Sequence, residues 1–157
     1  MYNTDYRMLQ RQLQSLLEGE THWLANLANT SALLFSELDD LNWVGFYLRE
    51  GEELILGPFQ GKPACVRIPL GKGVCGTAAA EGKVLVVPDV HAFPGHIACD
   101  AASRSEVVIP LMTSEGRLLG VLDVDSPVSN RFTSQDADGL GKIVGILLFA
   151  CSWPPVV

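Results

Sequence analysis

Apolar positions recur at steps of three and four at the start of the chain. Tyr2, Tyr6, Leu9, Leu13 and Leu16 share one helical face, and Gly19 interrupts it. The spacing resumes from Glu20 to Leu38 through Trp23, Leu24, Leu27, Ala28, Ala32 and Phe35, which predicts a second helix. From Asn42 the character changes. NWVGFYLRE, ELILGPFQG and CVRIPL are short runs rich in β-branched and aromatic residues, and they read as strands. Gly51-Glu52 suits a hairpin turn between the first two. A short helix follows over Val74 to Glu81, ended by Gly82, and then a strand Val84 to Val87 stopped by Pro88. Asp89 to Ser103 has no clean period and reads as a long loop holding a helical turn. Two more strands, Ser105 to Met112 and Arg117 to Asp125, flank the tight turn Thr113 to Gly116. The last helix starts near Thr133, with capping-box spacing to Asp136, and runs through Leu140, Ile143, Val144, Leu147 and Leu148 to a Pro154-Pro155 stop. Gly139, Gly141 and Gly145 each weaken that helix by up to about 1 kcal/mol, so another element is expected to approach closely there.

This order of elements reads as an α+β fold, one mostly antiparallel sheet with helices on its face. The 157 residues, 48% hydrophobic and 18% charged, suit a single domain spanning 1–157 and exclude a disordered chain. Eleven Lys and Arg against 18 Asp and Glu give a net charge of −7. That balance argues against nucleic acid and against anionic membranes, which both need clustered cations. No apolar run approaches the roughly 20 residues that span a bilayer, and the polar start does not fit a signal peptide. A soluble, cytoplasmic protein is expected.

Cys65, Cys75 and Cys99 lie within 35 residues of one another, and Cys151 sits in the apolar run LLFACSW. Clustered thiols in a reducing compartment point to catalysis, redox sensing or metal binding, whereas Cys151 reads as a small buried hydrophobe. Strand alternation puts Asp123 and Asp125 on one face, with Leu122 and Val124 on the other. A hairpin across Thr113 to Gly116 would bring Glu106 to the same end of the sheet. Three crowded acids call for a cationic partner, or hold a proton that can be given away. Trp43, Gly45 and Tyr47 share a face, and the glycine between two rings is expected to leave a notch for a small apolar or sulfur-containing group. The stretch GKGVCG matches a dinucleotide-binding pattern, but the helix after it is too short for a βαβ crossover, so its glycines are assigned to a tight turn. His91, His96 and Cys99, completed by Cys65 and Cys75, form a candidate zinc set. The spacings lack a C-x-x-C pair and do not fit common zinc modules.

NWVGFYL, LGPFQGKPACVRIPLGKGVCGTAA, DVHAFPGHIACDAASRSEVVIPL and GVLDVDSP, in this order and spacing, resemble the free methionine-R-sulfoxide reductases, a family of stand-alone GAF domains. The resemblance runs from Glu20 to Phe132. It implies a GAF-like fold: a central antiparallel sheet of about six strands, terminal helices on one face, and short helices and loops over a ligand pocket. It also implies that Cys99 is the nucleophile, Cys65 the resolving thiol and Cys75 an auxiliary or second resolving thiol. Glu106, Asp123 and Asp125 would donate a proton and bind ammonium, and Trp43, Tyr47 and Gly45 would line the substrate pocket. No cofactor or metal is required. The implied partners are free methionine sulfoxide and a thioredoxin-like reductant, and the implied assembly is a homodimer. A GAF-type sensor without turnover and a zinc-stabilised interaction domain are the competing readings.

Overall fold

The computed structural model describes residues 2–97 and 99–154, so Pro155 of the expected stop lies outside the described residues. Helix α1 spans Tyr6–Leu16, with the Asp5 carboxylate accepting from the Met8 amide at 3.0 Å and Leu9 and Leu13 buried. Two expectations for this face need correction. Leu16 is exposed and Leu17, at the helix end, takes the core position, while Tyr2 precedes the helix. The Tyr2 ring instead covers the guanidinium of buried Arg131 at 3.7 Å.

Helix α2, Trp23–Glu37, turns a different face inward than its apolar period predicts. Asn26, Leu27, Thr30, Ser31 and Leu34 are buried, and Leu24, Ala28, Ala32 and Phe35 are exposed. The reason is local hydrogen bonding. The Thr30 and Ser31 hydroxyls donate to the carbonyls of Asn26 and Leu27 one turn back, so both side chains enter the core with their donors satisfied.

Six strands form one antiparallel sheet: β1 Trp43–Glu50, β2 Glu53–Gly61, β3 Arg67–Pro69, β4 Leu85–Val87, β5 Ser105–Met112 and β6 Leu118–Ser126. Their order across the sheet is β3-β2-β1-β6-β5-β4. The central strands are therefore β1 and β6, held in the register Trp43 to Asp125 and Gly45 to Asp123. Strand β5 sets Glu106 opposite Asp125 and Val108 opposite Asp123.

Side-chain alternation then makes two layers of core. Val44, Phe46, Val107, Ile109, Leu122 and Val124 pack under α1, α2 and α4 (Ser134–Ala150). Trp43, Tyr47, Val108 and Val121 face the opposite way, toward α3 (Gly73–Glu81). Each buried aliphatic side chain removes roughly 1.5–3 kcal/mol worth of apolar surface from water, so both layers are tightly specified. A slip of one residue in β6 would exchange Leu122 and Val124 for Asp123 and Asp125.

Helix α4 begins with the expected capping box: the Asp136 carboxylate accepts from the Thr133 amide at 2.8 Å, and the Thr133 hydroxyl accepts in return from the Asp136 amide. Gly139 is where α1 crosses it, since a Cβ there would lie 2.2 Å from the Tyr6 ring. Gly141 and Gly145 correct the expectation for them, because a Cβ at either would meet nothing within 4 Å. The helix ends at Ala150, ahead of the prolines, and half-buried Cys151 receives a hydrogen bond from Asn26 Nδ2 at 3.6 Å. The segment after β4 holds the expected helical turn, a 3-10 turn at Val90–Ala92 capped by Asp89. Among the described residues no helix is long and apolar enough to cross a membrane.

Candidate active site

The site lies on the α3 side of the sheet, over the ends of β1, β5 and β6. Strand parity points Glu106, Asp123 and Asp125 at that face together with Trp43 and Tyr47. The three acids are 6%, 5% and 8% exposed, so they form a buried cluster and not a solvated strand end. Burial pushes the Glu106 carboxyl well up, and the charge of Asp123 adds to the effect. Burial also raises Asp123 and Asp125, reinforced by the charge of Asp125 on the first and of Glu106 on the second. Such a group keeps protons at pH values where an ordinary carboxyl has lost them.

Cys75 joins them from the first turn of α3. Gly71 and Gly73 have φ of +86° and +63°, which tightens the loop after β3. A Cβ at Gly76 would stand 2.5 Å from the Pro69 carbonyl oxygen, so only glycine lets the helix lie this close. The Cys75 thiol then donates to Glu106 Oε2 at 3.7 Å. Burial first, and the charges of Asp123 and Glu106 next, push this thiol well up.

The two aromatics hold the opposite wall. The Trp43 and Tyr47 rings stack with centroids 5.9 Å apart. Their polar ends fasten the loop that leads to β3: Trp43 Nε1 donates to the Lys62 carbonyl at 3.1 Å and the Tyr47 hydroxyl to the Cys65 carbonyl at 2.8 Å. Gly45 does not open a notch. A Cβ there would lie 2.3 Å from Phe59 Cβ, and the Phe59 ring stacks on Trp43 at 5.2 Å. The glycine admits a neighbouring strand's side chain, and a bulge in the β1–β2 pairing adjoins it.

Cys65 and Cys99 roof the cavity as a disulfide, with Cα atoms 5.5 Å apart. Both are half-buried. Their sulfurs are thus bonded to each other while Cys75 faces the acids, so the five-residue zinc set is not assembled. His91 and His96 meet edge to face at 6.2 Å on the same roof. His96 lines the cavity, and burial, with His91 beside it, lowers its pKa. Four acids, the two cysteines Cys75 and Cys99, and two aromatic rings border a cavity of about 50 Å³.

Several residues at this site carry no periodic signal. Asn42 Nδ2 donates to Asp100 Oδ2 at 3.0 Å and to Ser103 Oγ at 2.9 Å, mooring the segment beside Cys99 to the start of β1. The amide of Ala102, above all, holds the Asp100 carboxyl below its usual range. Lys72 reaches the rim from the loop before α3. The only hint of Asn42 in the sequence is its position next to Trp43, at the mouth of the strand that faces Asp125.

An antiparallel six-stranded sheet, helices on one face and a hollow roofed by loops on the other define a GAF domain, and the GAF domain model matches residues 12–148. The free methionine-R-sulfoxide reductase of Escherichia coli (strain K12) is 58% identical over 142 residues, covering 90% of this chain and 86% of that protein. The structure of fRMsr of Staphylococcus aureus in complex with substrate superposes with a TM-score of 0.90 at 53% identity, covering 96% of this chain and 97% of that one. A free methionine-R-sulfoxide reductase from Neisseria meningitidis in complex with its substrate gives a TM-score of 0.89 at 47% identity, over 96% of this chain and 92% of that one. Within the GAF domains, this chain belongs to the free methionine-R-sulfoxide reductases.

Proposed function

We propose that this protein reduces free methionine-R-sulfoxide to methionine, with Cys99 as nucleophile and Cys65 as resolving thiol. The observation that carries the reading is the disulfide between them, placed over a pocket of buried acids and stacked rings. A relative that bears the activity in its name is 58% identical to this chain, and a related structure 53% identical is described as a complex with substrate.

In the reduced protein the Cys99 thiolate attacks the sulfoxide sulfur while a protonated member of the Glu106, Asp123, Asp125 cluster protonates the oxygen. Methionine departs, oxygen stays on Cys99 as a sulfenic acid, and the thiol's proton restores the acid. Cys65 condenses with the sulfenic acid, releasing water and forming the disulfide. A dithiol of the thioredoxin class reopens it by exchange. Cys75, deep among the acids with its proton held, is an auxiliary thiol. The α-ammonium of a free amino acid pairs with the remaining carboxylates, and a peptide-bound methionine, whose nitrogen is an uncharged amide, forgoes that contact. Trp43 and Tyr47 receive the S-methyl end.

A disulfide that must be reopened each cycle suits the cytoplasm, where dithiol reductants are maintained. The outer face of α2, with Leu24, Ala28, Ala32 and Phe35 exposed, supports a homodimer built on that helix.

Dithiothreitol-driven reduction of the separated sulfoxide epimers tests the roles. Cys99→Ser is expected to lose even the first turnover. Cys65→Ser retains a single equivalent of methionine and then stalls. A normal first turnover in Cys99→Ser would sink the assignment.

A further inference from the structure

The sulfoxide chemistry leaves one arrangement unexplained: a third thiol inside the acid cluster. The ligating atoms of Cys75, Glu106 and Asp123 lie within 4.8 Å of one another, and all three residues are buried. Asp123 Oδ1 is buried without a hydrogen-bond partner. Among the described residues, the ion pairs formed involve other acids, so no cation neutralises this one.

A substrate ammonium would satisfy the carboxylates but has no use for a thiol. A thiophilic cation uses both. Zinc bonded at about 2.3 Å to sulfur and about 2.1 Å to oxygen in a tetrahedron sets those two atoms about 3.6 Å apart. Cys75 Sγ and Glu106 Oε2 are 3.7 Å apart. The separation found between these two side chains is therefore the edge that such a metal requires. The protein also keeps the site rigid: Glu106 and Asp123 stand on neighbouring strands of the sheet, and Cys75 is fixed by the glycine contacts of α3.

We propose that Cys75, Glu106 and Asp123 form a binding site for a thiophilic divalent cation of the zinc class, and that its occupancy blocks the pocket to methionine sulfoxide. Binding exchanges the Cys75 S–H bond for a sulfur–metal bond and releases the proton to solvent, with no change of oxidation state. Because Cys65 and Cys99 are bonded to each other, the site exists in the disulfide form, and reduction of sulfoxide is not needed to observe it. A water or Asp125, which borders the same cavity, can complete the coordination.

The test uses the disulfide form, prepared without reductant or chelator and titrated with Co²⁺ and then Zn²⁺. One equivalent of Co²⁺ is expected to produce a thiolate-to-cobalt charge-transfer band that Zn²⁺ displaces. Cys75→Ala should abolish the band, and the near-isosteric Glu106→Gln should weaken Zn²⁺ binding at least about tenfold while leaving the unfolding transition cooperative. Cys151→Ala, which removes the other free thiol, and the double variant His91→Ala with His96→Ala should both keep the band. A wild-type protein that gives no band overturns the proposal, as does a band that survives Cys75→Ala. Loss of the band in either control variant assigns the metal elsewhere and overturns it equally. Since none of these readouts involves turnover, they separate this site from the sulfoxide chemistry.

Discussion

Asp125 lies against Glu106 and Asp123 with 8% of its surface exposed, and ionising it in that company is costly. Burial and its neighbours' charges raise the folded-state pKa of all three carboxyls above the roughly 4 of an unfolded chain. The folded protein therefore holds more protons than the unfolded one between that value and the raised ones, and its stability falls as pH rises through this window. Asp125→Asn removes one such group. Denaturant unfolding should show the variant more stable than wild type, with a gain at pH 8 that exceeds the gain at pH 5 by on the order of 1 kcal/mol. Equal gains at both pH values would mean that the cluster does not titrate in this way. Sulfoxide reduction should fall in the same variant, since function retains what stability would discard. Strand alternation was enough to place Asp123 and Asp125 on a common face, and the expected hairpin brought Glu106 to the same end of the sheet. It could not show that they were buried, because burial depends on α3 and the roof. Asn42 was illegible for a similar reason: its hydrogen bond to Asp100 spans 58 positions and leaves no periodic trace.

At the level of elements, the strands were largely legible because each is a short β-branched run closed by glycine, proline or charge. Helix α2 was legible in extent but not in facing. The buried stripe carries Asn26, Thr30 and Ser31 beside its leucines, and the hydroxyls of Thr30 and Ser31 are satisfied by carbonyls one turn back, which apolar periodicity does not register. The α4 glycines divide on the same ground. At Gly139 an added methyl collides with the Tyr6 ring, whose hydroxyl donates to Asp136 at 2.6 Å, so the crossing of α1 and α4 has little slack. Gly139→Ala should cost about 1–3 kcal/mol of unfolding free energy through overpacking. Gly145, exposed and with open space around its Cα, should behave oppositely: Gly145→Ala gains about 0.5–1 kcal/mol from helix propensity. Chemical denaturation of the two variants side by side checks both signs, and a loss in Gly145→Ala would mean that an unrecognised contact covers that face.

For the molecule as a whole, Met8, Leu16, Leu24, Phe35 and Phe149 are exposed on α1, α2 and α4, while Val66, Val84, Val86 and Val128 are exposed on strands and loops. Phe149, near the end of α4, is 95% exposed, and Leu24, in the first turn of α2, is 47% exposed. The two helix ends are joined where the Ser152 amide donates to the Thr21 carbonyl at 2.8 Å. Light scattering behind size exclusion should report a dimer for the wild type and a monomer for the combined Leu24→Glu, Phe149→Asp variant. A monomeric wild type at micromolar concentration would remove the helical side from consideration as an interface. The order of strands across the sheet was not legible in the sequence, because pairing is chosen by packing over the whole chain. One small contact on the other side of the sheet bears on every catalytic cycle. The crosslink ties positions 34 apart, a span whose ends would drift if nothing else restrained them. The Tyr47 phenol, kept protonated by its burial, grips the Cys65 carbonyl, a main-chain atom that takes no part in the sulfur chemistry. Opening the bridge thus sets free a side chain and not a strap, and each reclosure is a short rotation instead of a search.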